Sequence, residues 1–195
     1  MLWQTILPPL FATIAAALPV ADEETGLLSR NGPQPWGLFT QNVIYQPPTG
    51  QNIEYPRYVE LTDGTLLATA TLSGFSPQFF PIFESTNGGA SWKWISNVTD
   101  KVNGWGLPAQ PALTELTQAL GAYPKGTILA AGNSEKGGTG GGTRIDLYAS
   151  KDKAHSWEFV SHIAMGGPPN ATNGATPVWE PYLMYVHQAI AAFQF

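Results

Sequence analysis

The chain has 195 residues, 12% of them charged, a formal net charge of −5 and a pI near 5.0. That length fits one domain or a piece of a larger one, and the acidic balance leaves no basic surface to neutralise phosphates, which argues against nucleic acid and acidic membrane as partners. With no cysteine there are no disulfides, thiolate metal sites or Cys nucleophiles, while 21 Gly, 17 Pro and 12% aromatic residues point to short strands joined by tight turns.

In chain order, Met1 to Ala21 carries no charged side chain, holds an apolar run from Ile6 to Leu18 and ends in small residues. It reads as a secretory signal peptide (residues 1–21), too short in its apolar part for the ~20 residues of a membrane span, and implies an extracellular, secreted protein. A polar, turn-rich arm follows at 22–40. Strands are expected at Asn42–Tyr45, Tyr58–Leu61, Thr65–Leu72, Phe79–Glu84, Trp92–Asn97, Thr127–Ala131, Ile145–Ser150 and Trp157–Ile163, each bounded by Gly, Pro, Asn or Asp. Asp63-Gly64 reads as a two-residue type I′ hairpin turn. Only Ala112–Leu120 has a helical look, so the fold class is all-β. Two sequons, Asn97-Val98-Thr99 and Asn170-Ala171-Thr172, offer glycosylation sites compatible with secretion.

The segment from Tyr55 to Val98 recurs from Gln110 to Ile163. Each copy opens with a proline (Pro56, Pro111), passes through Gly-Thr-apolar-Leu-Ala and closes with a Ser-x-Asn/Asp-x-x-x-Ser-Trp turn: Ser85, Asn87, Gly89 and Trp92, then Ser150, Asp152 and Trp157. A third opening stands at Trp179-Glu180-Pro181. Four-strand repeats of this length are the mark of β-propeller blades. The closing turn has a local logic: Asn or Asp accepts backbone hydrogen bonds, Gly tolerates a positive φ, and Trp buries a flat surface. A group that recurs once per blade reads as a fold staple, whereas a catalytic group occurs once. Ala154 stands where the first copy has Gly89, at about 1 kcal/mol if φ is positive there.

The two turns resemble the Asp-box of sialidase-type propellers. The wider set, Asn42-Val43-Ile44-Tyr45, Tyr55-Pro56-Arg57, Leu61-Thr62-Asp63-Gly64-Thr65-Leu66-Leu67, Gln110-Pro111, Gly126-Thr127-Ile128-Leu129, Asp146-Leu147-Tyr148-Ala149-Ser150 and Pro177-Val178-Trp179-Glu180-Pro181, is similar to fungal family 93 glycoside hydrolases. The resemblance implies a secreted, six-bladed propeller acting as a retaining exo-α-1,5-L-arabinanase that releases arabinobiose from arabinan. On that comparison the chain holds a partial β-propeller at 41–184, about two blades and the start of a third. A divergent tail at 185–195 then reads as a C-terminal truncation that leaves the chain inactive as written.

Retaining glycosidases need two carboxyl groups about 5 to 5.5 Å apart. Glu180 is the candidate here, at a strand start beside Trp179, whose face can stack on a sugar; its plain alternative is a carboxylate paired with an Arg. The resemblance implies that Glu180 is the nucleophile and that the acid/base lies in a later blade. No other carboxylate fills that role: Asp63 belongs to a hairpin, Asp152 to a turn, Asp146 to a strand start and Glu115 to the helical stretch. Arg57 and Gln110 are placed at the same strand-start position as Glu180 and join Trp179 and Trp105 as substrate-binding candidates. For Arg57 an ion pair, and for Trp105 simple packing, stand equally open. The histidines show no metal-ligand spacing and the chemistry needs no cofactor. The expected partner is arabinan or an arabinose-containing pectin side chain, bound by a monomer. A non-catalytic carbohydrate-binding propeller and a sialidase-like hydrolase are the alternatives.

Overall fold

The computed structural model describes residues 43–186 and 189–193. The signal peptide expected at 1–21, the arm expected at 22–40 and the remaining residues of the tail lie outside the described residues. Two four-stranded antiparallel sheets follow one another, each with its strands in sequential order. The first holds β1 (Ile53–Glu60), β2 (Leu66–Leu72), β3 (Phe79–Ser85) and β4 (Lys93–Thr99). The second holds β5 (Ala109–Glu115), β6 (Ile128–Lys136), β7 (Gly142–Ser150) and β8 (Glu158–Gly166), and a third begins with the hairpin of β9 (Tyr182–Val186) and β10 (Ala189–Phe193). The first strands lie side by side, β1 against β5 and β5 against β9, which makes them the inner strands of successive propeller blades. No helix occurs among the described residues.

Several expectations are corrected. Ala112–Leu120 is not helical: Ala109–Glu115 is β5, the inner strand of blade 2. Ala112 faces one core and Leu113 packs against the other, so burial on both faces overrides helix propensity. β1 starts at Ile53 rather than Tyr58, because the bulge between Glu54 and Arg57 absorbs Pro56 without breaking the strand. Of the proposed strand at Asn42–Tyr45, residues 43–45 are not strand; Tyr45 stacks on Phe83 at 5.5 Å and meets Trp94 edge-on. The Asp63-Gly64 turn is not type I′, since only Gly64 has a positive φ. Gly64 N–H donates to Leu61 O and Leu61 N–H to Thr65 O, the three-residue loop with a glycine bulge. Part of the tail, Ala189–Phe193, pairs with β9.

The blades are joined by interdigitated cores. Leu67, Phe80 and Ile82 of blade 1 pack with Ile128, Tyr148 and Trp157 of blade 2. The other face of blade 2, through Leu129, Ile145 and Leu147, packs on Val178 and Leu183. Gly132 lets the edge of the Phe80 ring approach β6: a Cβ there would sit 2.1 Å from Phe80 Cε2. Polar links reinforce the first interface. Glu115 accepts from Thr62 N–H (2.6 Å) and Oγ1 (3.0 Å), Lys153 pairs with Asp63 (2.6 Å), and Ser96 Oγ accepts from Trp157 Nε1 while donating to Ala154 O.

The two Ser-x-Asn/Asp turns share one bonding scheme. Ser85 Oγ donates to Asn87 Oδ1 and accepts from Gly89 N–H, while Asn87 Oδ1 accepts from Ser91 N–H, all at 2.9 Å. In the second copy Ser150 Oγ donates to Asp152 (2.7 Å) and accepts from Ala154 N–H (2.8 Å), and Asp152 accepts from Ser156 N–H (2.9 Å). Ala154 does adopt a positive φ of 68°, matching Gly89 at 90°. Strand direction places both turns at the end of the blades opposite the heads of β1, β5 and β9.

Candidate functional site

Among the described residues, five non-glycine residues have positive φ, and three of these precede a proline: Tyr55, Gln110 and Glu180, at 49°, 60° and 53°. Tyr55 and Gln110 sit within matching register shifts, between Glu54 and Arg57 in β1 and between Ala109 and Ala112 in β5. A non-glycine residue with positive φ ahead of proline is disfavoured twice over, at roughly 1–3 kcal/mol, and such outliers point to functional positions. The equivalent of Gln110 and Glu180 in blade 1 is therefore Tyr55, not Arg57, which lies two residues further along the strand. The signal was present in the sequence, as three X-Pro pairs at the three blade openings.

Arg57 still reaches the site. Gln110 Nε2 donates to Glu180 Oε1 (2.8 Å), Glu180 N–H donates to Gln110 Oε1 (3.1 Å), and Arg57 Nη2 lies 3.6 Å from Glu180 Oε2. Arg57 also lies over the Tyr55 ring, 5.9 Å from its centroid. The Glu180 side chain is 37% exposed and that of Arg57 44%, so the pair stands at an open mouth and contributes little to stability. Trp179 is half-buried beside Glu180. The Val178–Glu180 segment is pinned by blade 2: Asn133 Nδ2 donates to Val178 O (2.6 Å) and Val178 N–H donates to Thr143 Oγ1 (2.8 Å).

Trp105 lies in a different neighbourhood, in the loop that carries the chain from blade 1 to blade 2. Arg144 covers its ring at 5.1 Å, and its N–H donates to Asp100. Asp100 accepts four backbone N–H groups, from Val102, Asn103, Trp105 and Gly106, at 2.7–3.0 Å. Burial pushes the Asp100 carboxyl up, but these donors together outweigh it and hold it below its ordinary value. Asp146 is fully buried in the middle of β7, not at a strand start. It accepts from Asn103 Nδ2 (2.5 Å) and contacts His162 Nδ1 (2.7 Å), and burial raises its pKa against the His162 bond. These two carboxylates anchor the loop and were not visible as partners in the sequence.

The remaining candidates are placed as follows. Asn170 is exposed, its Oδ1 accepting from Thr172 N–H (2.9 Å) and Oγ1 (2.6 Å); Asn97 is exposed on β4 and accepts from Trp94 Nε1 (2.7 Å). Glu115 closes β5 and binds Thr62, far from the strand heads. Among the described residues no group of three or more His, Cys, Asp or Glu is placed to hold a metal ion.

Solved structures share this fold. The α-L-arabinofuranosidase of Fusarium graminearum in complex with an iminosugar inhibitor is 45% identical, with a TM-score of 0.73, over 77% of this chain and 43% of that one. The same figures hold for the Fusarium graminearum family 93 α-L-arabinofuranosidase in complex with arabinobiose. The Penicillium chrysogenum α-L-arabinanase complexed with arabinobiose is 41% identical, with a TM-score of 0.72, over 77% of this chain and 44% of that one. A protein of unknown function from Dyadobacter fermentans, 18% identical with a TM-score of 0.53, shares the fold alone. No protein-family model and no curated protein matches the chain. The blades are those of a partial β-propeller. Within that class the chain is similar to glycoside hydrolase family 93 structures, and it spans less than half the length of the solved relatives it matches.

Proposed function

We propose that this chain forms part of a secreted, retaining exo-α-1,5-L-arabinanase, with Glu180 as the nucleophile that attacks the anomeric carbon of an arabinan chain. The observation that supports this most is the convergence of Arg57, Gln110 and Glu180 at the heads of three successive inner strands. A carboxylate with one oxygen tied to an amide and the other turned to an exposed mouth is arranged to form a glycosyl ester. Trp179 supplies the stacking face beside it and Tyr55 an aromatic wall. Arabinobiose bound to the solved relatives supports an arabinose-containing glycan as ligand. The acid/base comes from a later part of the ring, as the family resemblance implies.

On the same reading residues 1–21 direct secretion, the two Ser-x-Asn/Asp turns are Asp-boxes, and Asn97 and Asn170 are the glycan acceptors. The test is arabinobiose release from linear arabinan by a version of the protein that carries the whole ring, and by its Glu180→Gln variant. Release should fall by roughly a thousandfold or more while arabinobiose affinity is kept. Unchanged release removes Glu180 from the chemistry and leaves a carbohydrate-binding propeller.

A further inference from the structure

We infer that Gln110 is the positioning residue of this site, acting through Glu180 rather than on the sugar. The inference rests on the reading of Glu180 as nucleophile. The Gln110 amide grips Glu180 at two points, donating to its carboxylate at 2.8 Å and accepting from its backbone N–H at 3.1 Å. The amide is planar, so these two bonds fix the carboxylate relative to its own main chain. Both ends of the amide are engaged by Glu180, which argues against a primary role in sugar binding.

Gln110 is itself located from the preceding blade, since its N–H donates to Thr71 Oγ1 (3.1 Å). Position thus passes from Thr71 in blade 1 through Gln110 in blade 2 to Glu180 at the head of blade 3. The grip also selects the reactive oxygen. Oε1 is held by the amide, whereas Oε2 has Arg57 at 3.6 Å, beyond hydrogen-bond length, and is the atom free to bond to carbon. The bonds to Gln110 offset the unfavourable backbone of Glu180, whose φ is 53°.

The test uses the 195-residue chain and two probes: arabinobiose for binding, and an α-L-arabinofuranose-configured cyclic sulfate for nucleophile labelling. In the labelling step a carboxylate oxygen bonds to C1 as the C1–O bond to sulfate breaks. The reagent is carbocyclic, and the sulfate leaves C1 without a proton while staying attached at the ring carbon that takes the place of the sugar's ring oxygen, so no acid catalyst is needed. Mass spectrometry of the wild-type chain should place the label on Glu180. Gln110→Leu should label roughly ten- to a hundredfold more slowly while binding arabinobiose within about twofold. Gln110→Asn, one methylene too short to make both bonds, should do the same and serves if the Leu variant does not fold.

Equal labelling in variant and wild type overturns the inference. Parallel loss of labelling and binding also overturns it, because Gln110 then contacts the sugar. If wild-type Glu180 takes no label, the nucleophile reading fails separately, and the Glu180 backbone amide resonance decides the positioning claim. Its proton should move upfield and exchange faster in Gln110→Leu; an unmoved resonance refutes the grip.

Discussion

Replacing Asp100 tests the inter-blade loop most directly. Its carboxylate satisfies the N–H groups of Val102, Asn103, Trp105 and Gly106, and Ser134 Oγ lies 3.4 Å away. In Asp100→Ala the exposed Val102 N–H and its neighbour on Asn103 regain water, for a combined loss of about 1 kcal/mol. The Trp105 and Gly106 donors are more enclosed, Gly106 being buried, and orphaning them costs about 2 kcal/mol more. The total, about 3 kcal/mol, is a large part of an ordinary domain's stability. With a urea m-value of about 2 kcal/mol/M, the unfolding midpoint should fall by about 1.5 M. Asp100→Asn keeps the volume but turns an amino group toward two donors, so it should recover less than half of the loss. Amide exchange at Trp105 and Gly106 should quicken in both variants. A midpoint shift under about 0.5 M at unchanged m, or an Asn variant equal to wild type, would refute the reasoning.

Three other outcomes follow from the packing and the charges. Gly132→Ala should destabilise by about 2–3 kcal/mol, because the new methyl collides with the Phe80 ring, and Phe80→Leu in the same chain should recover part of that in a double-mutant cycle by urea denaturation. Gly89→Ala meets only ordinary contacts at Leu66 and Trp92, 3.6 Å and 3.9 Å away, so its cost should be the backbone term alone, about 1 kcal/mol, again read from the urea midpoint. The third concerns acid. A hydrogen bond from Lys153 holds Asp63 at a pKa of about 2, a hydrogen bond from Ser156 does the same for Asp152, and Asp100 is also lowered. Their folded pKa values lie below the unfolded ones, so their stabilisation is complete above the ordinary carboxylate range and is lost as pH falls from about 4 towards 2. Asp152→Asn copies the Asn87 turn, which cannot titrate; it should leave the melting temperature at pH 7 nearly unchanged and flatten its fall below pH 4.

What was legible in the sequence was what is local or repeated. The Ser85–Trp92 and Ser150–Trp157 turns build themselves from residues at most seven apart, so their spacing alone identified the repeat. The strand at Leu66–Leu72 was read within a residue, because its turn and its burial are both written locally. β5 was misread because Ala112 and Leu113 face different cores, an arrangement that exists only when two blades and the start of a third are stacked. Arg57, one residue after Pro56, is out of register with Gln110 and Glu180, each one residue before its proline; the positive φ of Tyr55 shows the true equivalence. The partners Asn103 and Asp146, 43 residues apart, and Asp146 and His162, on adjacent strands, carry no motif at all.

The blade has a division of labour between its two ends. At one end lie the Ser-x-Asn/Asp turns, the Thr62–Glu115 bonds, the Asp63–Lys153 pair and the Ser96–Trp157 bond, a set of contacts that fixes blade 2 on blade 1. At the other lie three residues in an unfavourable backbone conformation, Gln110 and Glu180 hydrogen-bonded to each other and Tyr55 beneath the Arg57 guanidinium that also faces Glu180. A strained position persists when the surrounding structure over-determines it, and the first end together with the two interdigitated cores does so. The X-Pro bulge is therefore a repeated backbone device with an interchangeable side chain. Tyr55, Gln110 and Glu180 occupy one structural position and give the mouth an aromatic wall, an amide clamp and a carboxylate. Because strand register sets that position, the residue before each blade-opening proline is the first place to look for differences in glycan preference between propellers built on this repeat.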